Sequence, residues 1–496
     1  MQPLILVSVF LVATCGLIYE LIAGTVSSYL LGDSVMQFST IIGVYLSAMG
    51  VGSYLARYIG RGVLQRFVQI QILVGLLGGC SASVLFFVFA HGTGFSLVLY
   101  SLVFAIGTLV GLEIPLVMRL LKDQLEFKEL VSQVLALDYI GALAASLAFP
   151  ILLVPHLGLV RTAFLFGLVN VGVALAFLVR FSPTRQASRL LLAQAVLAFL
   201  LLASGLALAE RLTTLAEVQM FPDQVLLARS TPYQRLVVTQ RTGDLRLYLN
   251  NNLQFSSLDE YRYHETLVHP GLSGLENPRK VLILGGGDGL ALREVLRYPT
   301  VSEITLVDLD PGMTELFSQH PLLSKLNEGS LRSPRVKVVN ADAFVWLRED
   351  PGSYDFVVVD FPDPSTFALG KLYTLSFYAE LKRHLAPGGA AAVQCTSPLF
   401  ARRSYWCILR TMEAAGLQVR PYHVFVPSFG EWGFALIGPS RPGGHLPTGL
   451  RFLNQSALAA LFEFPLDMSS LPVEVNRLSN QALVRYYEEE WRAVAQ

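Results

Sequence analysis

The stretch VLILGGGDGLALREVL, residues 281–296, decides how the second half of this chain folds. Four apolar residues run into a glycine-rich turn, and an apolar pattern of helical period follows, so the segment reads as strand, turn and helix. A turn of that kind at a helix start ordinarily serves a phosphate or a carboxylate. Asp288 sits inside this one, and its charge opposes an anion. The loop GGGDG (285–289) is also shorter than the dinucleotide fingerprint G-x-G-x-x-G and is not a Walker loop, so pyrophosphate binding is disfavoured.

Working outward, further short apolar runs alternate with helical patterns: ITLV (304–307), VKVV (336–339), FVVV (356–359) and AAAV (390–393). Near-continuous apolar strands of this length describe a parallel sheet buried on both faces. Upstream, PYQRLVVTQ (232–240) and LRLYLNN (245–251) flank the turn RTGD, which predicts a small β-hairpin subdomain. The expected fold of 233–440 is therefore an α/β Rossmann-like domain carrying an N-terminal β-hairpin. Residues 441–496 read as a helical tail without chemistry, and 211–232 as a linker or amphipathic connector.

The first 210 residues are different in kind. They hold only ten of the 37 Lys and Arg and carry seven long apolar stretches, near 3–30, 36–58, 67–90, 93–118, 131–154, 162–179 and 190–209. Each is about long enough to cross a ~30 Å hydrocarbon core at 1.5 Å per residue, so 1–210 is expected to be a multi-pass α-helical membrane domain. The first stretch lacks the basic leader of a signal peptide and reads as an anchor. With 53% hydrophobic residues and zero formal net charge, the chain is expected to partner a lipid bilayer and not nucleic acid. Cys15, Cys80, Cys395 and Cys407 have no metal-ligand spacing, so neither a metal site nor a disulfide framework is expected.

Basic residues follow the second span (Arg57, Arg61, Arg66), the fourth (Arg119, Lys122, Lys128) and the sixth (Arg180, Arg185, Arg189). The positive-inside rule puts those loops and the N-terminus in the cytoplasm, and seven crossings then leave the C-terminal half outside.

The strand ends of the α/β half carry acids in succession: Asp288 in the first loop, then Asp308, Asp342, and Asp360 with Asp363. Any one of them has an ordinary reading as an N-cap or turn residue. Together they line the edge where doubly wound sheets bind ligands. Asp308 is placed to accept both hydroxyls of a ribose, and Asp342 to accept an adenine amino group. An adenosine carried on sulfur needs no phosphate cradle.

In order and spacing, PYQRLVV, LQFSSLDEYRYHE (253–265), VLILGGGDGLALREVL, VDLD (307–310), ADAF (341–344), DFPDPS (360–365) and LYTLSFY (372–378) resemble the polyamine aminopropyltransferases, or spermidine synthases. The resemblance covers about 232–440 and implies an S-adenosylmethionine methyltransferase-type fold. It implies decarboxylated S-adenosylmethionine as co-substrate, no other cofactor, and a putrescine-like amine as acceptor. It places Gln234, Asp308, Asp342 and the backbone of Ala343 on the nucleoside. His264, Asp288, Asp363 and Tyr263 fall to the polyamine side, and Asp360 becomes the proton acceptor. The sequence departs from the family at Leu290, at ADA for the usual GDG, at Phe367 and in VPSFGEWGF (426–434), which leaves the acids intact and bears on the choice of amine.

Two other functions fit the residues. A methyltransferase shares the fold, but its donor keeps a carboxylate that Asp288 would oppose. A polyamine transporter or sensor would use Glu20, Glu113 and Asp138, acids within or beside the apolar spans. Packing is the duller alternative for these three, and for His264, Tyr261 and Tyr263. Because the co-substrate is a cytoplasmic nucleoside, the catalytic half is expected on the cytoplasmic side despite the count of basic loops; a homo-oligomer is left open.

Overall fold

The computed structural model describes residues 2–31, 34–92, 94–122, 124–181, 186–221, 223–439 and 444–494. Arg185, one of the basic residues counted above, lies outside the described residues. Two compact units divide at Val225/Leu226.

The first unit is helical: α1 (Gln2–Leu31), α2 (Ser34–Leu55), α3 (Val63–Ala90), α4 (Phe95–Leu121), α5 (Phe127–Ala148), α6 (Val154–Phe181) and α7 (Gln186–Met220). Its helices are apolar on every face, with Leu46, Leu97, Ile151 and Leu197 exposed, as expected of helices that meet an apolar solvent. Among the described residues, six helical runs are long and apolar enough to cross a membrane. The sequence suggests seven segments because two of them, 131–154 and 162–179, fall in one run, Phe127–Phe181.

At 1.5 Å per residue its 55 residues extend about 80 Å, enough for two crossings of a ~30 Å core. The run is not straight. Pro150 lies in a π-helical turn (Phe149–Leu153), and Gly158 leaves helical geometry at φ 73°, ψ 174°. A proline without an N–H and a residue outside the helical region are the ordinary causes of such a break.

The second unit opens with an antiparallel sheet of four strands, β1 (Gln224–Ser230), β2 (Arg235–Arg241), β3 (Asp244–Leu249) and β4 (Asn252–Ser256), in that order. The expected hairpin is β2–β3, turning at Thr242 (φ 46°) and Gly243 (φ 85°). A second tight turn at Asn250 and Asn251 (φ 48° and 67°) adds β4, so the subdomain is a sheet and not a lone hairpin. Within the expected linker 211–232, α7 runs on to Met220 and β1 begins at Gln224.

Helix α8 (Glu260–Leu272) leads into the larger sheet, whose strands are β5 (Lys280–Gly285), β6 (Glu303–Asp308), β7 (Val336–Asn340), β8 (Tyr354–Asp360), β9 (Leu385–Gln394), β10 (Val419–Val426) and β11 (Gly430–Ile437). Their order is β10-β11-β9-β8-β5-β6-β7. Strands β5 to β9 are parallel, and β10–β11 form an antiparallel hairpin on β9. From β5 the chain moves outward to β6 and β7, then returns to β8 on the other side of β5. The order therefore reverses between β5 and β8, and at such a reversal a crevice opens at the carboxyl ends of the strands.

Candidate active site

The register of β5 against β8 pairs Gly285 with Asp360, so the glycine loop and this acid leave the sheet side by side. Gly285 has φ 83°, and a Cβ there would lie 2.1 Å from the Asp360 carbonyl oxygen. The next strand brings Asp308 to the same loop. Its Oδ2 accepts from the Gly287 N–H at 3.0 Å, and its Oδ1 from the Asp310 N–H at 2.8 Å. A Cβ on Gly287 would fall 2.6 Å from that carboxylate. The glycines thus allow the Asp360 backbone and the Asp308 carboxylate to press against one turn. Asp288 itself is buried, its Oδ1 accepting from the Leu290 N–H at 2.9 Å where α9 (Leu290–Leu296) starts.

Burial works against these charges. It pushes the Asp308, Asp360 and Asp363 carboxyls up to about 6. Asp288 is raised as well, by burial. For Asp360, nearby His264 pulls the other way, Asp288 adds to the rise, and the Tyr263 hydroxyl, donating to Oδ1 at 2.7 Å, holds the ionised form. Four carboxyls raised by burial at one edge of the sheet mark a candidate functional site.

His264 lies on α8 with its Nδ1 held by the Glu260 carbonyl (2.8 Å) and carboxylate (2.9 Å). Burial pulls the imidazole down, but Glu260 overrides it and the net shift is upward. Its Nε2 has no hydrogen-bond partner among the described residues. Behind it, Arg293 grips Glu260 with two nitrogens (3.0 and 2.9 Å) and reaches Glu294 at 2.8 Å, while Glu294 meets His269 at 3.1 Å. Burial opposes the Glu260 charge, yet His264 and Arg293 hold its carboxyl below the usual range. This network fixes α8 to α9, and with it Tyr263 and His264 to the loop. Tyr261, two residues earlier, packs under Arg451 instead.

Asp363 follows β8 by three residues and is encircled by donors: Thr396 Oγ1 at 2.9 Å, Tyr487 Oη at 3.0 Å and Gln394 Nε2 at 3.3 Å. Tyr487 belongs to the C-terminal helix Ala482–Val494, so the tail expected to lack chemistry supplies a direct partner to a site carboxylate. Nothing local could have signalled it, for the two residues stand 124 positions apart.

The nucleoside-side expectations are placed as follows. Gln234 donates from Nε2 to Asp310 at 2.9 Å and not to Asp308, because Asp310 caps α10 (Pro311–Gln319) and turns a carboxylate toward the small sheet. Asp342 caps the helix Ala343–Glu349 through the Phe344 N–H, and its other oxygen pairs with Lys371 at 2.5 Å. Ala343 is buried as the first residue of that helix. Asp310 stands inside the VDLD motif and Glu260 inside LDEYRYHE. Lys371, Gln394, Thr396 and Tyr487 carried no signal of their own.

Among the described residues no cluster of His, Cys, Asp and Glu could hold a metal ion, and the four cysteines are free.

Comparison with known proteins bears on this arrangement. The family model described as the spermine/spermidine synthase domain matches residues 260–441. A solved spermidine synthase in complex with the transition-state analogue AdoDATO is 24% identical, covering 49% of this chain and 86% of its own, with a TM-score of 0.46. The polyamine aminopropyltransferase of Leptospira interrogans is 52% identical over 100% of both chains. Polyamine aminopropyltransferase 2 of Ralstonia nicotianae is 54% identical over 99% of each. Polyamine aminopropyltransferase 1 of Streptomyces coelicolor is 44% identical over 99% of this chain and 94% of its own. These relatives match the helical half as well as the α/β half, and the chain belongs to the polyamine aminopropyltransferases.

Proposed function

We propose that the protein transfers the aminopropyl group of decarboxylated S-adenosylmethionine to putrescine or a similar diamine, with Asp360 as proton acceptor. The observation that carries this reading is the pairing of Asp360 with Gly285 across the β5/β8 reversal, with Tyr263 on the carboxylate and Asp288 beside it. A neutral amine attacks the methylene next to the sulfonium, a C–N bond forms as the C–S bond breaks, and Asp360 takes the proton the new ammonium sheds. Products are the extended polyamine and methylthioadenosine.

An alkylamine titrates near ~10.4 and an ordinary aspartate near ~3.9. A carboxyl raised to about 6 narrows that gap and stays ionised at neutral pH. Positioning still contributes more than basicity, because the gap is not closed. On this reading Asp308 takes the ribose hydroxyls, with Gln234, Asp342 and Ala343 holding the rest of the nucleoside. Asp288, Asp363, His264 and Tyr263 surround the amine.

The methyltransferase reading is disfavoured by Asp288. Two like charges ~4 Å apart repel by about 4 kcal/mol at an effective dielectric of 20, enough to exclude a donor that keeps its carboxylate. In the helical half, the six apolar runs support a role as a bilayer anchor, with the catalytic unit on the cytoplasmic side where the donor nucleoside is found.

The test offers purified protein either nucleoside with a panel of diamines. Methylthioadenosine and spermidine from the decarboxylated donor are expected. Methyl transfer without aminopropyl transfer overturns the reading.

A further inference from the structure

The stretch VPSFGEWGF (426–434) has no part in the transfer step described above. It holds the turn between β10 and β11. Strand β11 runs antiparallel to both β9 and β10, so β10 points the same way as the parallel strands. The turn that follows β10 therefore stands at their carboxyl ends, on the edge that carries Asp360 and Asp363.

Turns are usually built from Gly, Pro, Asn, Asp and Ser. This one carries Phe429, whose half-buried ring lies 6.3 Å from the ring of Tyr263 and 5.3 Å from that of Trp432. Tyr263 is the donor to Asp360. Trp432 donates its indole N–H to Gln394 Oε1 at 3.2 Å, and Gln394 Nε2 donates to Asp363 at 3.3 Å. Phe429 thus joins the aromatic partner of one acid to the aromatic end of the chain that reaches the other.

The turn is also fixed in place. The N–H and the hydroxyl of Ser428 both donate to the Asp259 carboxylate, at 2.7 and 2.9 Å, and Arg262 Nε donates to the Phe425 carbonyl at 2.8 Å. These bonds tie it to the start of α8, the helix that carries Tyr263. At the next residue, Gly430 has φ 82°, and a Cβ there would lie 3.0 Å from the Phe400 ring. A turn held this way costs little to order when a ligand arrives.

A diamine presents two polar ends and a run of methylenes between them. Carboxylates answer the ends, and an apolar surface has to answer the middle. We propose that Phe429 is a specificity-determining residue for the acceptor, its ring bounding the methylene chain between Asp360 and Asp363 and so setting the length of diamine accepted. This rests on the proposed aminopropyl transfer.

The experiment uses full-length protein in lipid nanodiscs, the decarboxylated donor, and diaminopropane, putrescine and cadaverine as acceptors. In Phe429→Ala, kcat/KM for cadaverine relative to putrescine should rise about tenfold or more, since one methylene in an apolar pocket changes discrimination by about 10- to 200-fold. Phe429→Trp should lower the same ratio, and the KM for the donor should stay put in both variants. Ratios that match the unaltered protein overturn the inference, as does a kcat/KM that falls equally for every diamine; the ring then only packs against Tyr263.

Because alanine also strips packing from Tyr263, the unaltered protein is tested in parallel with methylthioadenosine present. A putrescine analogue carrying a diazirine on a central methylene should label residues 426–432, and excess putrescine should suppress that labelling. Suppressible labelling that spares the turn overturns the inference. Transfer with an unchanged length profile sinks the role of Phe429 and leaves the proposed function standing, whereas suppressible labelling of the turn without transfer does the reverse. Neither transfer nor suppressible labelling rejects both.

Discussion

On the proposed mechanism Asp360 combines two demands that pull against each other: it would have to be ionised to accept a proton, and it sits where burial raises its carboxyl. Replacing it with asparagine keeps the shape and removes the base, and a loss of about 10²–10⁴ in kcat is expected, read from single-turnover formation of methylthioadenosine. The acid limb of kcat/KM should lie near pH 6, because activity falls as the carboxyl protonates below its raised value. Tyr263 stabilises the ionised form, so Tyr263→Phe destabilises it and raises the pKa further. A hydrogen bond to a charged group contributes about 1.5–3 kcal/mol and one pKa unit is ~1.4 kcal/mol, which moves the limb upward by about one to two units. A pH–rate profile of the variant that coincides with the unaltered one would show that Tyr263 only packs.

At the scale of the element, the glycine loop is a contact surface for two strand ends. Asp308 is pinned by two backbone N–H groups, so a methyl group at 287 cannot displace it without breaking one of them. Overpacking of this kind costs about 1–3 kcal/mol, and Gly287→Ala should raise the KM for the donor by about 5- to 150-fold while the KM for the amine stays put. The C-terminal helix predicts the opposite split. Tyr487→Phe removes one of three donors from Asp363, at about 1 kcal/mol, and should raise the KM for the amine about fivefold with little change for the donor.

Such elements were unequally legible in the sequence. Strands β5, β6, β8 and β9 announced themselves because both faces are covered, leaving runs that are almost wholly apolar, whereas β7, at the sheet edge, carries Lys337 within its run. The β10–β11 hairpin did not, since an antiparallel pair at the sheet edge alternates, and Pro421 and His423 interrupt the pattern in β10. The acids at the strand ends were visible because the fold places them by register. Tyr487, Thr396 and Gln394 were not, because their partnership with Asp363 exists only after the chain has folded back.

At the scale of the whole chain, the remaining question is which side of the bilayer holds the α/β unit, and the helical run Phe127–Phe181 decides it. If its two arms cross fully, the chain crosses seven times and its ends lie on opposite sides. The basic residues after α2 and α4 then put the N-terminus inside and the catalytic unit outside, away from its nucleoside. If only one arm on either side of the break around Gly158 crosses and the other stays re-entrant or interfacial, six crossings bring both ends to the cytoplasm, and only the basic residues flanking 182–185 sit on the outer side. The break supplies the means: a π-helical turn and a non-helical glycine free backbone groups that a re-entrant segment satisfies within protein. The expected outcome is therefore that reporters fused to the N-terminus and to the C-terminus both read as cytoplasmic. A reporter after Arg189 should read as external. A C-terminal reporter active only outside would restore seven full crossings, and would require the donor nucleoside to be delivered across the membrane.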